Sequence, residues 1–139
     1  MIKIKSKIND KLLHLVYCSK NLNKGRTELV EESNFIQCSY LHMDKGKTFR
    51  AHQHIWKEPS FKQHIAQESW VVIQGSVEVM FHDTDGSFIE SHVLYPGDAS
   101  FTLEGGHNYK VLEDNTLVYE YKTGPYEGQS KDKIFLDEM

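Results

Sequence analysis

The run FRAHQHIWKEPSFKQHIAQESW, Phe49 to Trp70, holds three of the chain's eight histidines, His52, His54 and His64, together with Glu68. Imidazole and carboxylate are ligand types that Fe, Mn, Ni and Zn accept, and the same groups move protons near neutral pH. On a strand, residues i and i+2 share a face, so His52 and His54 would project side by side, with Arg50 on the same face. Glu68 opens the next β-rich run, and His107 follows Gly105 and Gly106, where the backbone turns easily enough to aim one side chain inward. The plainer reading is a set of polar residues on a loop. His14, His42, His82 and His92 lack matching partners and read as surface or packed residues.

These residues need elements to position them, and from Phe35 onward the pattern is short strands parted by turn signals. NFIQCSYLHM reads as a strand ending at Asp44-Lys-Gly46, and KTFRAHQH, residues 47–54, as a second. ESWVVIQ is closed by Gly75, and SVEVMFH alternates Val77, Val79 and Phe81 against Ser76, Glu78 and Met80. An Asp-Gly hairpin turn at 85–86 leads into FIESHVLY; ASFTL, HNYKVL and TLVYEYK complete the series. KLLHLVYC has β character, and GRTELVEES reads as a single helical turn or a loop. No apolar stripe at 3.6-residue spacing persists, so the expected class is all-β: a sandwich, a jelly roll or a small barrel.

The motifs resemble those of the cupins. Gly46-x5-His52-x-His54 followed by Glu68-x6-Gly75 is similar to the first cupin motif, and PGDASFTLEGGHNYKVL, with Gly97 and His107, is similar to the second. The resemblance covers about Phe35 to Lys122 and implies a double-stranded β-helix, the cupin jelly-roll barrel. It implies a single domain over 1–139, with an N-terminal arm at about 1–34, a barrel at about 35–122 and a tail at 123–139. Carried over, His52, His54, Glu68 and His107 are the metal ligands, for a divalent transition metal that the residues do not identify among Fe, Mn, Ni and Zn.

The chain departs from the family in two places. Thirteen residues separate His54 from Glu68 where cupins keep a few, and Leu103 stands where the second motif has a proline. A competing register puts His64, four residues before Glu68, in place of His54, with Lys62 in the first histidine's position. In the preferred register His64 is a lid residue, an outer-shell donor or a catalytic acid or base.

The resemblance implies a metal-dependent isomerase or dioxygenase acting on a small polar metabolite. In that role Arg50 anchors an anionic group, and His64 or a tyrosine such as Tyr109 moves a proton. The alternatives are a non-catalytic small-molecule or sugar binder, and a metal-free cupin of the sugar-epimerase kind. The tail, Thr123-Gly-Pro-Tyr-Glu-Gly, is similar to that of small cupins associated with surface-polysaccharide pathways, and cupin relationships imply a homodimer.

Composition narrows the classes further. Sixteen basic residues against twenty acidic ones give a net charge of −4 with the positive charge scattered, which argues against nucleic acid as a partner. The basic N-terminus lacks a signal peptide's apolar core, and LLHLVYC is too short to cross a membrane. A cytoplasmic chain with Cys18 and Cys38 reduced is the expectation.

Overall fold

A computed structural model describes residues 1–21 and 23–138. The described chain is all-β, with ten strands and every pairing antiparallel. They are β1 (Ile2–Lys5), β2 (Leu12–Tyr17), β3 (Gly25–Glu28), β4 (Ser39–His42), β5 (Glu68–Gln74), β6 (Val77–His82), β7 (Phe88–Leu94), β8 (Ala99–Thr102), β9 (Gly106–Val111) and β10 (Leu117–Lys122). A five-stranded sheet runs β1-β2-β8-β5-β10, a three-stranded sheet β7-β6-β9, and β3 pairs only with β4. Among the described residues no helix is long and apolar enough to cross a membrane.

The two larger sheets pack face to face. Ile4, Val16 and Val72 of the five-stranded sheet meet Val77, Val79, Phe81 and Leu94 of the other in one buried cluster. The period-two rule explains this directly: β6 alternates buried Val77, Val79 and Phe81 with half-buried Glu78, Met80 and His82. The back of the larger sheet is covered too. Leu15, Tyr17, Ala99 and Phe101 point outward from β2 and β8 onto Leu29, Val30 and Ile36. Strands β2 and β8 are therefore buried on both faces, with His14, Ser100 and Thr102 as the polar residues they bury.

Within the N-terminal segment, β1 and β2 are built into the large sheet. Two expectations need correction. GRTE forms a strand, β3, where a helical turn or loop was expected. No strand forms over 47–54: residues 43–67 hold only a turn at 45–46 and a bend between β4 and β5, and every residue from 41 to 65 is exposed. An isolated extended segment gains nothing without a partner ladder, and among the described residues no strand pairs with this one. Cys18 and Cys38 are both free and half-buried.

Candidate functional site

The inner face of the sandwich changes character along its strands. Val72 faces the apolar cluster; two and four residues earlier on the same face of β5 come Trp70 and Glu68. Register then fixes their neighbours. Glu68 lies opposite Thr102 on one side and Lys122 on the other, and Trp70 opposite Ser100 and Glu120. On the facing sheet His107 is opposite Phe81 and Tyr109 opposite Val79, so both share the inward parity of the β6 valines. One end of the sandwich interior is apolar and the other is lined with ionisable groups.

At the polar end the two sheets are joined by a hydrogen bond, with His107 Nε2 3.1 Å from Glu68 Oε1. The Glu68 carboxylate accepts, so Nε2 carries a proton; in the neutral ring Nδ1 keeps its lone pair. That Nδ1 is buried and has no partner among the described residues. A carboxylate holding one ring nitrogen while the other stays free is an arrangement that orients imidazoles as metal ligands and as bases. Burial pushes the Glu68 carboxyl up, but the hydrogen bond and charge of His107, with Lys133 and Lys122, outweigh it and hold the group below its ordinary value.

The floor of this end is aromatic. Trp70 and Tyr109 stack across the gap between the sheets, with centroids 3.9 Å apart and planes 3° from parallel. Trp70 Nε1 donates to Glu120 at 3.1 Å, and the Tyr109 hydroxyl is 3.1 Å from Ser100 Oγ. The His107 ring lies 5.2 Å from Tyr109. Burial raises the Tyr109 hydroxyl far above its ordinary value, with Glu68 and Glu120 adding to the effect and the Ser100 bond opposing it. Tyr109 is therefore a protonated donor at neutral pH and no base.

Gln67 anchors the start of β5. Its side chain accepts from Ile36 N–H at 2.9 Å and donates to Asn34 and Leu103, while its backbone exchanges two bonds with Thr123. His64, three residues earlier, rests against Phe35 and Phe61 with ring separations of 5.9 Å each. It stands between two clefts. One, of about 190 Å³, is lined by His64, Ala66, Thr123, Glu127, Lys131 and Asp132. The other, of about 410 Å³, runs along Phe35, Gln63, Ile65, Gln67 and Glu104.

Of the four residues expected as ligands, Glu68 and His107 come together; His52 and His54 do not join them. Both histidines stand exposed on the strand-free segment, their rings 5.4 Å apart, with His52 Nδ1 3.0 Å from the Arg50 carbonyl. Arg50 is exposed on the same segment. Among the described residues no group of three or more His, Cys, Asp or Glu side chains is arranged to hold a metal. The donor types fit a metal, and the orphaned Nδ1 offers a coordinating atom, but only half the set is assembled.

Trp70, Glu120, Lys122 and Asp132 belong to this end of the sandwich and were not singled out from sequence. Their signal is parity: Glu120 and Lys122 alternate on β10 as Glu68 and Trp70 do on β5, but only the strand pairing brings the rows together. No protein-family model, curated protein or solved structure matches this chain.

Proposed function

We propose that the chain is a cupin-like double-stranded β-helix protein that binds a divalent transition metal (Fe, Mn, Ni or Zn) and acts on a small polar metabolite at the Glu68–His107 end of the sandwich. The observation that carries the reading is the meeting of those two residues. They are 39 positions apart and stand one in each of the two sequence motifs, yet they approach to 3.1 Å in the interior. The remaining ligands are His52 and His54. The 14 residue steps from His54 to Glu68 (68 − 54) reach up to about 46 Å when extended, so the tether does not prevent their approach. A segment without a ladder of its own gains order from the bonds its ligands make, as metal sites commonly couple binding to local folding.

The metal would supply a Lewis acid or a redox centre. The chain's own groups supply the rest. Glu68 fixes the His107 ring, Tyr109 presents a protonated hydroxyl, and the Trp70–Tyr109 stack gives a flat apolar surface against which a small ring or chain can lie. His64, at the cleft edge, is placed to exchange protons with a molecule entering there. Arg50 would pair with an anionic substrate group when its segment folds inward. Strands β10 and β1 end the large sheet, and an unpaired edge of this kind favours a homodimer.

A second reading, a metal-free acid–base site, is favoured by the Glu68–His107 bond itself, which forms without the other two histidines. Elemental analysis of untagged protein purified without chelator separates the two. The metal reading expects close to one transition metal per chain, lost in His52→Ala and His107→Ala. Metal that is substoichiometric in the native protein, or unchanged in both variants, overturns it. A ligand bound saturably but never turned over would make the same site a binding module.

A further inference from the structure

The C-terminal tail is tied down at both sides of the Glu68–His107 pair. Where β10 ends, Thr123 N–H donates to the Gln67 carbonyl at 3.0 Å and Thr123 Oγ1 accepts from Gln67 N–H at 3.0 Å, next to Glu68. Lys122, the register partner of Glu68, donates to Asp132 at 3.0 Å. Those two side chains are only 20% and 12% exposed, unlike the other lysine–carboxylate pairs on the surface. A single 3-10 turn, Gln129–Lys131, delivers Asp132 to that bond, and Lys122 Nζ also lies 4.7 Å from the Tyr126 ring centre.

The far end of the tail lands on the opposite sheet. Leu136 seats its methyls 3.1 Å from where a side-chain carbon on Gly106 would be, so any larger residue there would press on them. Gly106 directly precedes His107. The tail therefore starts on the edge of the five-stranded sheet at Glu68 and ends on the three-stranded sheet at His107. Its two anchors thus lie on different sheets, one beside Glu68 and the other beside His107. Beside it remains the cleft of about 190 Å³ under His64 and Lys131, below the usual range for a site that holds a drug-sized molecule.

Resting on the site reading above, we infer that residues 123–136 form a specificity-determining strap. Asp132 clamps it to Lys122 and Leu136 seats it on Gly106, so that only a ligand small enough for the adjoining cleft reaches the Glu68–His107 pair. Asp132 and Leu136 are positioning residues, because they act through Lys122 and Gly106 and need not touch the ligand.

The test is the rate at which diethyl pyrocarbonate acylates each histidine of the full chain, followed by peptide mass spectrometry. His42, exposed and without a role in the site, is the internal standard, and His14, wholly buried on β2 close by, reports unfolding of the sandwich itself. Asp132→Ala loosens the strap from its own side; Gly106→Ala leaves the tail's sequence unchanged and crowds Leu136 and His82 from the opposite sheet. Both are expected to raise the His107 rate about tenfold relative to His42, with His14 still slow. An unchanged His107 rate in both variants overturns the strap, as does a His14 rate that rises in step with His107. The outcome is separable from the metal reading: a faster His107 with metal content indifferent to His107→Ala keeps the strap and removes the metal.

Discussion

His14 makes the most quantitative test of the sandwich interior. It is fully buried on β2, against Phe81 at 4.6 Å between ring centres. Nε2 lies 3.0 Å from the His82 carbonyl and so must carry a proton; Nδ1, 3.2 Å from Thr102 Oγ1, accepts from the hydroxyl. Both ring nitrogens are satisfied in the neutral form, and charging the ring would require Thr102 to turn its hydroxyl away. Burial accordingly lowers the His14 pKa from 6.5 to about 4, against the raising effect of the His82 carbonyl and with help from the nearby His107. The folded state resists the proton that the unfolded chain accepts. Stability from this group is complete above pH 6.5 and is lost as pH falls towards 4.

At about 1.36 kcal/mol per pKa unit the full loss is somewhat over ~3 kcal/mol, and the part falling between pH 7 and pH 5 is about 2 kcal/mol. Urea unfolding at the two pH values should show it as a fall of about 1 M in midpoint for a typical denaturant slope. His14→Gln keeps a donor for the His82 carbonyl and cannot titrate. Its midpoint, lower at pH 7, should change much less between the two. If the native protein and the variant lose the same stability over that interval, or if the ring titrates above pH 6 by NMR, the account of a neutral buried imidazole is wrong.

Two further outcomes follow from the backbone. Gly97 has φ +90° and donates to the Val72 carbonyl at 2.8 Å, and an added side-chain carbon would stand 2.7 Å from Ser19 Oγ. Gly97→Ala should therefore cost about 1–3 kcal/mol in chemical denaturation, and a neutral result would show that the turn between β7 and β8 yields freely. Limited trypsin treatment should cut first at Lys45, Lys47, Arg50, Lys57 or Lys62, all exposed and outside any ladder. Added Zn or Mn should slow those cuts if His52 and His54 close on Glu68 and His107. First cleavage inside β5–β10, or cutting that no metal retards, would count against the segment as the missing half of the site.

What could be read from sequence divides along physical lines. ESWVVIQ became β5 at its expected ends because Gly75, at φ +76° and packed against Thr116, stops it, and SVEVMFH showed its buried face through strict alternation. Strand β1 was hidden because Ile2 and Ile4 alternate with lysines in a stretch whose basic character dominates, and one of those isoleucines is exposed. GRTE has no apolar period; it is a strand only because β4 runs beside it. In each hidden case the deciding contact is with a partner strand, and a partner is invisible to local pattern.

The same distinction explains why half of the candidate site was legible. Glu68 and His107 sit on strands held in register by β8, β10 and β6, so their inward parity follows from the alternation around them, and the two meet across the sandwich. Thirteen residues between His54 and Glu68 break that chain of parity. With no ladder across the gap, nothing transmits the face of β5 back to the HQH pair, and a strand written for those residues had no register to obey. His64 escapes this because Phe35, Phe61 and the Gln67 anchor hold it, not a strand. A ligand held by aromatic packing is fixed before any metal arrives, and a ligand on a free segment is fixed by the metal. The choice between His54 and His64 therefore turns on whether the site is assembled in advance or on binding.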